Sequence, residues 1–120
     1  VFGGDGPGAT ANTETWNGSA WTEVNNLNTA RWHMFGAGSS PSALGFGGYG
    51  PPGYYAITEE WNGASWVEVA DLNTGRSGGG SGGVSDSTTA LAFGGSSPSA
   101  TAATEEWSGS STTTKTIGTD

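Results

Sequence analysis

The chain is predicted to be all-β, a series of short antiparallel strands grouped in fours. Three observations predict this. Blocks of sequence recur along the chain at offsets of 44 to 47 residues. Between them lie short runs that alternate apolar and polar residues, bounded by glycine-rich turns. The composition agrees, with 23 Gly, six Trp, four Phe and three Tyr among 120 residues. Only 32% of the chain is hydrophobic and 12% charged, a balance close to that of disordered segments. Disordered segments are poor in aromatics, however, and regularly spaced rings among Gly, Ser and Thr fit sheets with many tight turns.

The repeat has three blocks in a fixed order. Phe-Gly-Gly stands at Phe2-Gly3-Gly4, Phe46-Gly47-Gly48 and Phe93-Gly94-Gly95. Thr13-Glu14-Thr15-Trp16-Asn17-Gly18 returns as Thr58-Glu59-Glu60-Trp61-Asn62-Gly63 and as Thr104-Glu105-Glu106-Trp107-Ser108-Gly109. In the first two copies a second Trp follows, Trp21 and Trp66. Leu27-Asn28-Thr29-Ala30-Arg31 returns as Leu72-Asn73-Thr74-Gly75-Arg76. Self-similarity of this length marks an array of one supersecondary unit.

Each element follows from this frame. Val1-Phe2 is the end of a second strand, and 13–16 and 21–24 are the third and fourth. The next unit has a small-residue inner strand over 32–38, an apolar strand over 43–46 that ends in Gly-Gly, and alternating strands over 55–61 and 66–69. The last unit repeats this with strands over 77–84 and 89–93, then the Thr-Glu-Glu-Trp block. Asn62-Gly63 between Trp61 and Trp66 signals a tight hairpin, because both residue types tolerate positive φ. The chain thus divides into a partial unit, 1–30, and two complete units, 31–75 and 76–120, the last diverged towards its C-terminal end. Four antiparallel strands in such a span is the size of one β-propeller blade.

The pattern resembles the kelch repeat, with Thr-x-Arg opening the inner strand, Gly-Gly closing the second and Trp closing a later hairpin. The resemblance covers essentially the whole chain and is strongest to the kelch-like repeats of bacteriophage tail fibres and bacterial surface proteins. It departs from the usual kelch pattern in having Glu-Trp where Tyr-Asp is commoner, and in having Thr112 where Trp21 and Trp66 stand in the earlier units. The resemblance implies propeller blades and an extracellular or virion location. A closed propeller needs roughly 4–8 blades, so the expected partners are flanking blades of a longer chain or copies of this one packed blade to blade.

Charge and residue types exclude several functions. The formal charge is −8, and the only Lys and Arg are Arg31, Arg76 and Lys115. Nucleic-acid binding needs clustered cations and is not expected. No apolar run approaches the ~20 residues of a membrane-spanning helix. With no cysteine and His33 as the single histidine, thiolate metal sites and a copper site like that of some kelch propellers are excluded, and no cofactor is expected. Asp5, Asp71 and Asp86 are oxygen donors suited to calcium, but no Asp-x-Asp-x-Asp-Gly run joins them.

Paired carboxylates do invite a glycosidase reading of Glu59-Glu60 and Glu105-Glu106. Neighbours in a strand point to opposite faces, so neither pair forms one site. Their recurrence predicts solvent exposure or pairing with Arg31 and Arg76, and no enzyme activity. The periodic Trp16, Trp21, Trp61, Trp66 and Trp107 are expected to fill the core between units, because large rings are what a glycine-rich sheet needs to fill space, with stacking on sugars as the alternative. Gly3, Gly4, Gly47, Gly48, Gly94 and Gly95 are expected to be structural turns. The aromatics that break the period are the candidate ligand contacts. Trp32 has Ser77 as its counterpart, and Tyr49 and Tyr54 flank the unit-specific insert Gly50-Pro51-Pro52-Gly53. Loops on a rigid scaffold carry function, so Trp32, His33, Tyr49 and Tyr54 are the expected ligand-contact residues, with surface glycans as the ligand and a purely structural filament or spacer as the alternative role.

Overall fold

A computed structural model of the chain describes residues 1–4, 8–39, 41–51, 53–83, 88–97, 99–108 and 112–115. Asp5, Pro52, Val84, Asp86, Gly109, Thr116 and Ile117 lie outside the described residues. The fold is all-β and antiparallel, with no helix among the described residues. Its strands in chain order are β1 (Thr13–Trp16), β2 (Trp21–Val24), β3 (Phe35–Ser39), β4 (Ser42–Phe46), β5 (Tyr49–Gly50), β6 (Gly53–Tyr54), β7 (Thr58–Trp61), β8 (Trp66–Val69), β9 (Gly80–Gly83), β10 (Ala90–Phe93), β11 (Thr104–Trp107) and β12 (Thr112–Lys115). Two four-stranded sheets have the orders β3-β4-β7-β8 and β9-β10-β11-β12. A smaller sheet pairs β1 with β2, extended by a bridge from Phe2 to Thr13. These three sheets are successive copies of one pattern in an open array.

Three strands begin later than the sequence predicts, and the backbone shows why. The inner strand expected from 32 starts at Phe35, because His33 sits at φ +55° and turns the chain. Its counterpart expected from 77 starts at Gly80, after Gly78 at φ +71°. The strand expected from 55 starts at Thr58, because Tyr55 N–H bonds instead to the Gly48 carbonyl. The insert expected as a loop folds into its own ribbon, with Tyr49 opposite Tyr54. The Asn-Gly links are four-residue loops rather than two-residue turns. Trp61 pairs with Trp66, only Gly63 takes a positive φ, and the Asn62 carboxamide oxygen accepts from Ala64 and Ser65 N–H at 2.9 and 3.0 Å. Asn17 does the same for Ser19 and Ala20.

Each Phe-Gly-Gly block turns in one way. The first glycines have φ of 67°, 66° and 69°, and the second 127°, 109° and 91°. A Cβ on Gly47 would stand 2.7 Å from the Arg76 carbonyl oxygen, so both handedness and space require glycine here.

The core lies between consecutive sheets. Trp61 and Trp66 of the second sheet are 4% and 6% exposed, packed on Leu27 with Phe2 and Val24 of the first unit. Phe2 meets Trp66 edge-on at 4.9 Å, and the Trp66 indole donates to Thr13 Oγ1 at 2.9 Å. Trp107 of the third sheet is buried against Phe35, Leu44, Phe46 and Leu72. Trp16 and Trp21 depart from the expected core role, being 51% and 53% exposed. Their repeat mates are covered by the preceding sheet, and no sheet among the described residues stands against this face of β1–β2.

One polar atom exposes the divergence of the third unit. The strand register sets Thr112 opposite Trp107, as Trp66 stands opposite Trp61. The third unit therefore has no indole at the position that serves Thr13. Thr58, the repeat mate of Thr13, has a buried Oγ1 without a partner. Leaving a buried hydroxyl unpaired costs about 1–3 kcal/mol. Thr112→Trp is expected to raise the stability by about 1 kcal/mol, read as an increased midpoint in urea unfolding, and Thr112→Trp combined with Thr58→Val is expected to gain less.

Candidate functional site

The recurring polar residues form a buried clamp. Arg31 and Glu59 are both fully buried and paired at 3.0 Å. Arg31 also donates to the carbonyls of Gly47 and Ile57 at 2.7 and 2.6 Å. The Glu59 carboxylate accepts from the backbone N–H groups of Asn28 and Thr29 at 2.7 and 3.2 Å. In the next unit, Arg76 pairs with Glu105 and donates to the Ala103 carbonyl, and Glu105 accepts from Asn73 and Thr74 N–H. Burial lowers the Arg31 pKa below its ordinary value despite the opposing pull of Glu59. A guanidinium stays protonated at neutral pH regardless, so burying it costs stability that the clamp must offset with hydrogen bonds.

This corrects the expected solvent exposure of the Glu pairs for Glu59 and Glu105, while the alternative of pairing with Arg31 and Arg76 holds. A carboxylate enclosed by an arginine and two amides has no path to a substrate. A hollow of about 440 Å³ lies between the first two sheets along the edge of β1 and is lined by Phe2, Glu14, Trp16, Trp21, Gly36 and Trp66 among others. Glu14 is its single carboxylate, so it lacks an acid–base pair. Among the described residues no group of His, Asp and Glu could hold a metal ion. Asp71 is exposed on the loop after β8.

The aromatics that break the repeat come together instead. Trp32 and Tyr49 form a backbone bridge, each N–H bonding the other's carbonyl at 2.9 and 2.8 Å. Their rings lie 5.5 Å apart, and Tyr49 meets Tyr54 edge-on at 4.9 Å. The three rings form a continuous row in which Trp32 and Tyr49 are half-buried and Tyr54 is exposed. The next unit makes the same bridge with Ser77 and Ser96. One paired position thus carries two rings in one unit and two hydroxyls in the next. Ser96 Oγ reaches the Tyr54 hydroxyl at 3.5 Å, so the two bridges are adjacent.

His33 completes the patch from an unusual backbone position. It is the one non-glycine residue with positive φ among the described residues, and its repeat mate is Gly78, also left-handed. The His33 carbonyl accepts from Gly78 N–H at 3.0 Å, and the side chain is exposed. Tyr55, not among the expected contacts, holds the insert in place by donating its hydroxyl to the Pro51 carbonyl. Its place close after the Gly50-Pro51-Pro52-Gly53 insert was the sequence signal for it.

No family model and no curated protein matches the chain. Among solved structures 86 chains match. One is the structure of YjhT, with a TM-score of 0.74 and 17% sequence identity. The match covers 96% of this chain and 41% of that one, so this chain spans less than half of that structure's length. At this identity the likeness shows a shared fold and nothing about activity.

Two outcomes follow from these contacts. Glu59→Gln removes the charge facing buried Arg31 and is expected to cost about 3–5 kcal/mol, whereas Glu60→Gln, at a half-buried position, is expected to cost less than about 1 kcal/mol. Paired denaturation curves measure both. A left-handed non-glycine residue costs roughly 1–2 kcal/mol, so His33→Gly is expected to raise the thermal midpoint.

Proposed function

We propose that the chain is a non-enzymatic, kelch-type β-propeller repeat module of a virion tail fibre or an extracellular appendage, and that it contacts surface glycans through Trp32, Tyr49 and Tyr54, with His33 at the edge of the patch. Each four-stranded sheet is read as one blade, the inner strand being β3 or β9. The row of three aromatic rings carries the functional part of this reading. It stands where the repeat is broken, on a scaffold whose other features recur. Flat rings suit the apolar face of a pyranose, and phenol hydroxyls suit its rim. The burial of Glu59 and Glu105 supports a binding role over hydrolysis.

A second reading, a structural filament or spacer repeat with no ligand, is favoured by a different observation, the exposure of Trp16 and Trp21. A glycan array separates the two. Binding is expected for the native chain. Trp32→Ala and Tyr54→Ala are each expected to weaken it about tenfold, equivalent to ~1.4 kcal/mol, with little change in melting temperature. Trp16→Ala is expected to leave it unchanged. An array without signal, or equal losses for Trp16→Ala and Trp32→Ala, would remove the aromatic row as the site.

A further inference from the structure

We infer that the ligand of the aromatic row is a neutral oligosaccharide lying across two consecutive units, from Trp32 to Ser96, and that acidic sugars are rejected. This rests on the glycan reading above and adds the charge and the length of the ligand to it.

The charge follows from where the few ionic groups stand. Holding a sialic or uronic acid calls for a cation, arginine above all, because its planar fork matches a carboxylate. The sequence has three Lys and Arg. Arg31 and Arg76 are 0% exposed and directed inward, onto the carbonyls of Ile57 and Ala103 and onto Glu59 and Glu105. Neither guanidinium turns to a surface ligand without opening its clamp. Lys115 belongs to β12, two strands out from β10, whereas Ser96 follows β10 directly. The connection 70–76 runs beside the patch, with Leu72 N–H bonded to the Ala56 carbonyl at 2.8 Å and Arg76 N–H to the Tyr55 carbonyl at 3.1 Å. Its exposed charge is Asp71. An anionic sugar would meet a like charge here, on a chain of net charge −8, with both arginines already engaged.

The length follows from the continuity of the row. Ring centres step by 5.5 Å from Trp32 to Tyr49 and by 4.9 Å from Tyr49 to Tyr54. The Tyr54 hydroxyl then meets Ser96 Oγ of the third unit at 3.5 Å. Successive ring planes are inclined by 46° and 70°, so one flat sugar stacks on one ring at a time. A chain of sugars turns at each glycosidic link and is able to follow the row. Tyr54 and Ser96 end it with two hydroxyls, each of which both donates and accepts, as the hydroxyls of an uncharged sugar do. Backbone contacts fix this junction. Gly78 N–H bonds the His33 carbonyl at 3.0 Å, and the Ser97 hydroxyl donates to the Gly75 carbonyl. The two units therefore present the row already formed, and the ordering cost of binding is small.

A glycan array that sets each neutral glycan beside its sialylated and uronic forms, as single sugars and as chains, tests this on the native chain, followed by titration of the best neutral chain. Neutral glycans are expected to bind at least about tenfold more tightly than their acidic forms. Affinity for the neutral chain is expected to change less than about twofold between low and high salt, because an uncharged ligand leaves no ion pair to screen. Ser96→Ala, which keeps the backbone bridge to Ser77, is expected to weaken chain binding about fivefold, the scale of one hydrogen bond, and to leave single sugars within about twofold. Far-ultraviolet circular dichroism checks that the variant keeps the native fold. Lys115→Gln is expected to leave both affinities unchanged. Tighter binding of acidic glycans overturns the inference, and loss of that binding in His33→Gln or Lys115→Gln would name the cation responsible. Equal affinity for single sugars and chains, or no effect of Ser96→Ala in a folded variant, overturns it as well. Acidic glycans bound through Trp32 and Tyr54 would leave the glycan reading standing and overturn this inference alone. An array with no signal of either kind overturns both.

Discussion

The Arg–Glu clamp is the constraint on which the rest of the structure depends. All three recurring sequence blocks meet in it. Thr-Glu-Glu-Trp supplies the carboxylate of Glu59, Leu-Asn-Thr-x-Arg supplies two amide donors and the guanidinium, and Phe-Gly-Gly supplies the carbonyl of Gly47. The clamp also joins neighbouring units. The Arg31 carbonyl accepts from Gly4 N–H of the first unit, while its side chain grips the second, and the Arg76 carbonyl accepts from Gly48 N–H. A point charge could not span these partners. The planar fork of arginine serves two carbonyls and a carboxylate together. The crossover segment between sheets is held at both ends, which leaves one position for the next sheet.

That fixed position explains why so sparse a chain folds. Only 32% of its residues are hydrophobic. Core forms only where one sheet meets the next, with tryptophan from one side and phenylalanine and leucine from the other. Stability then accumulates by nearest-neighbour contacts, as in other repeat arrays. The polar clamp contributes geometry and the aromatic contact contributes burial. Neither suffices alone, because a buried charge pair is weak evidence of stability and an aromatic contact without fixed spacing has no register.

Much of this was legible in the sequence, and the remainder was not for definite reasons. The repeat marked the strands of the three sheets and the glycine turns but missed the ribbon of Tyr49–Gly50 and Gly53–Tyr54, and it left pairing with Arg31 and Arg76 as one of two alternatives for the Glu residues. The boundaries of Thr13–Trp16, Trp21–Val24 and Trp66–Val69 agree with the structure residue for residue, since alternation and flanking Asn-Gly both mark them. Periodicity failed where a local backbone choice decided the outcome. His33 looks like an ordinary strand residue and is instead a left-handed turn. The Asn-Gly loops depend on a side-chain oxygen substituting for a backbone acceptor, which pairwise propensity does not register. Trp16 and Trp21 have the sequence of core residues and the exposure of surface ones, because burial is a property of the neighbouring unit and not of the residue's own repeat. The aromatic patch was partly visible. Trp32, Tyr49 and Tyr54 each break the period, but only the bridge between Trp32 and Tyr49 shows that the first two occupy one paired position.

The same logic separates scaffold from function along the chain. A position that recurs with one residue type answers a demand of the fold, as with glycine at each positive-φ turn after the phenylalanine. A position that the fold constrains yet the sequence varies answers some other demand. The bridge held by Trp32 and Tyr49 is such a position, since the Ser77–Ser96 bridge makes the same backbone hydrogen bonds without rings. His33 is a sharper case, because glycine meets the backbone requirement at Gly78 with less strain. Strain of this kind persists where surrounding structure over-determines it, and it clusters at functional positions. Two energetically optional aromatics and one unfavourable histidine at adjacent positions are more than the scaffold needs. That excess, rather than the fold itself, is what supports the proposal of a ligand contact at this end of the sheets.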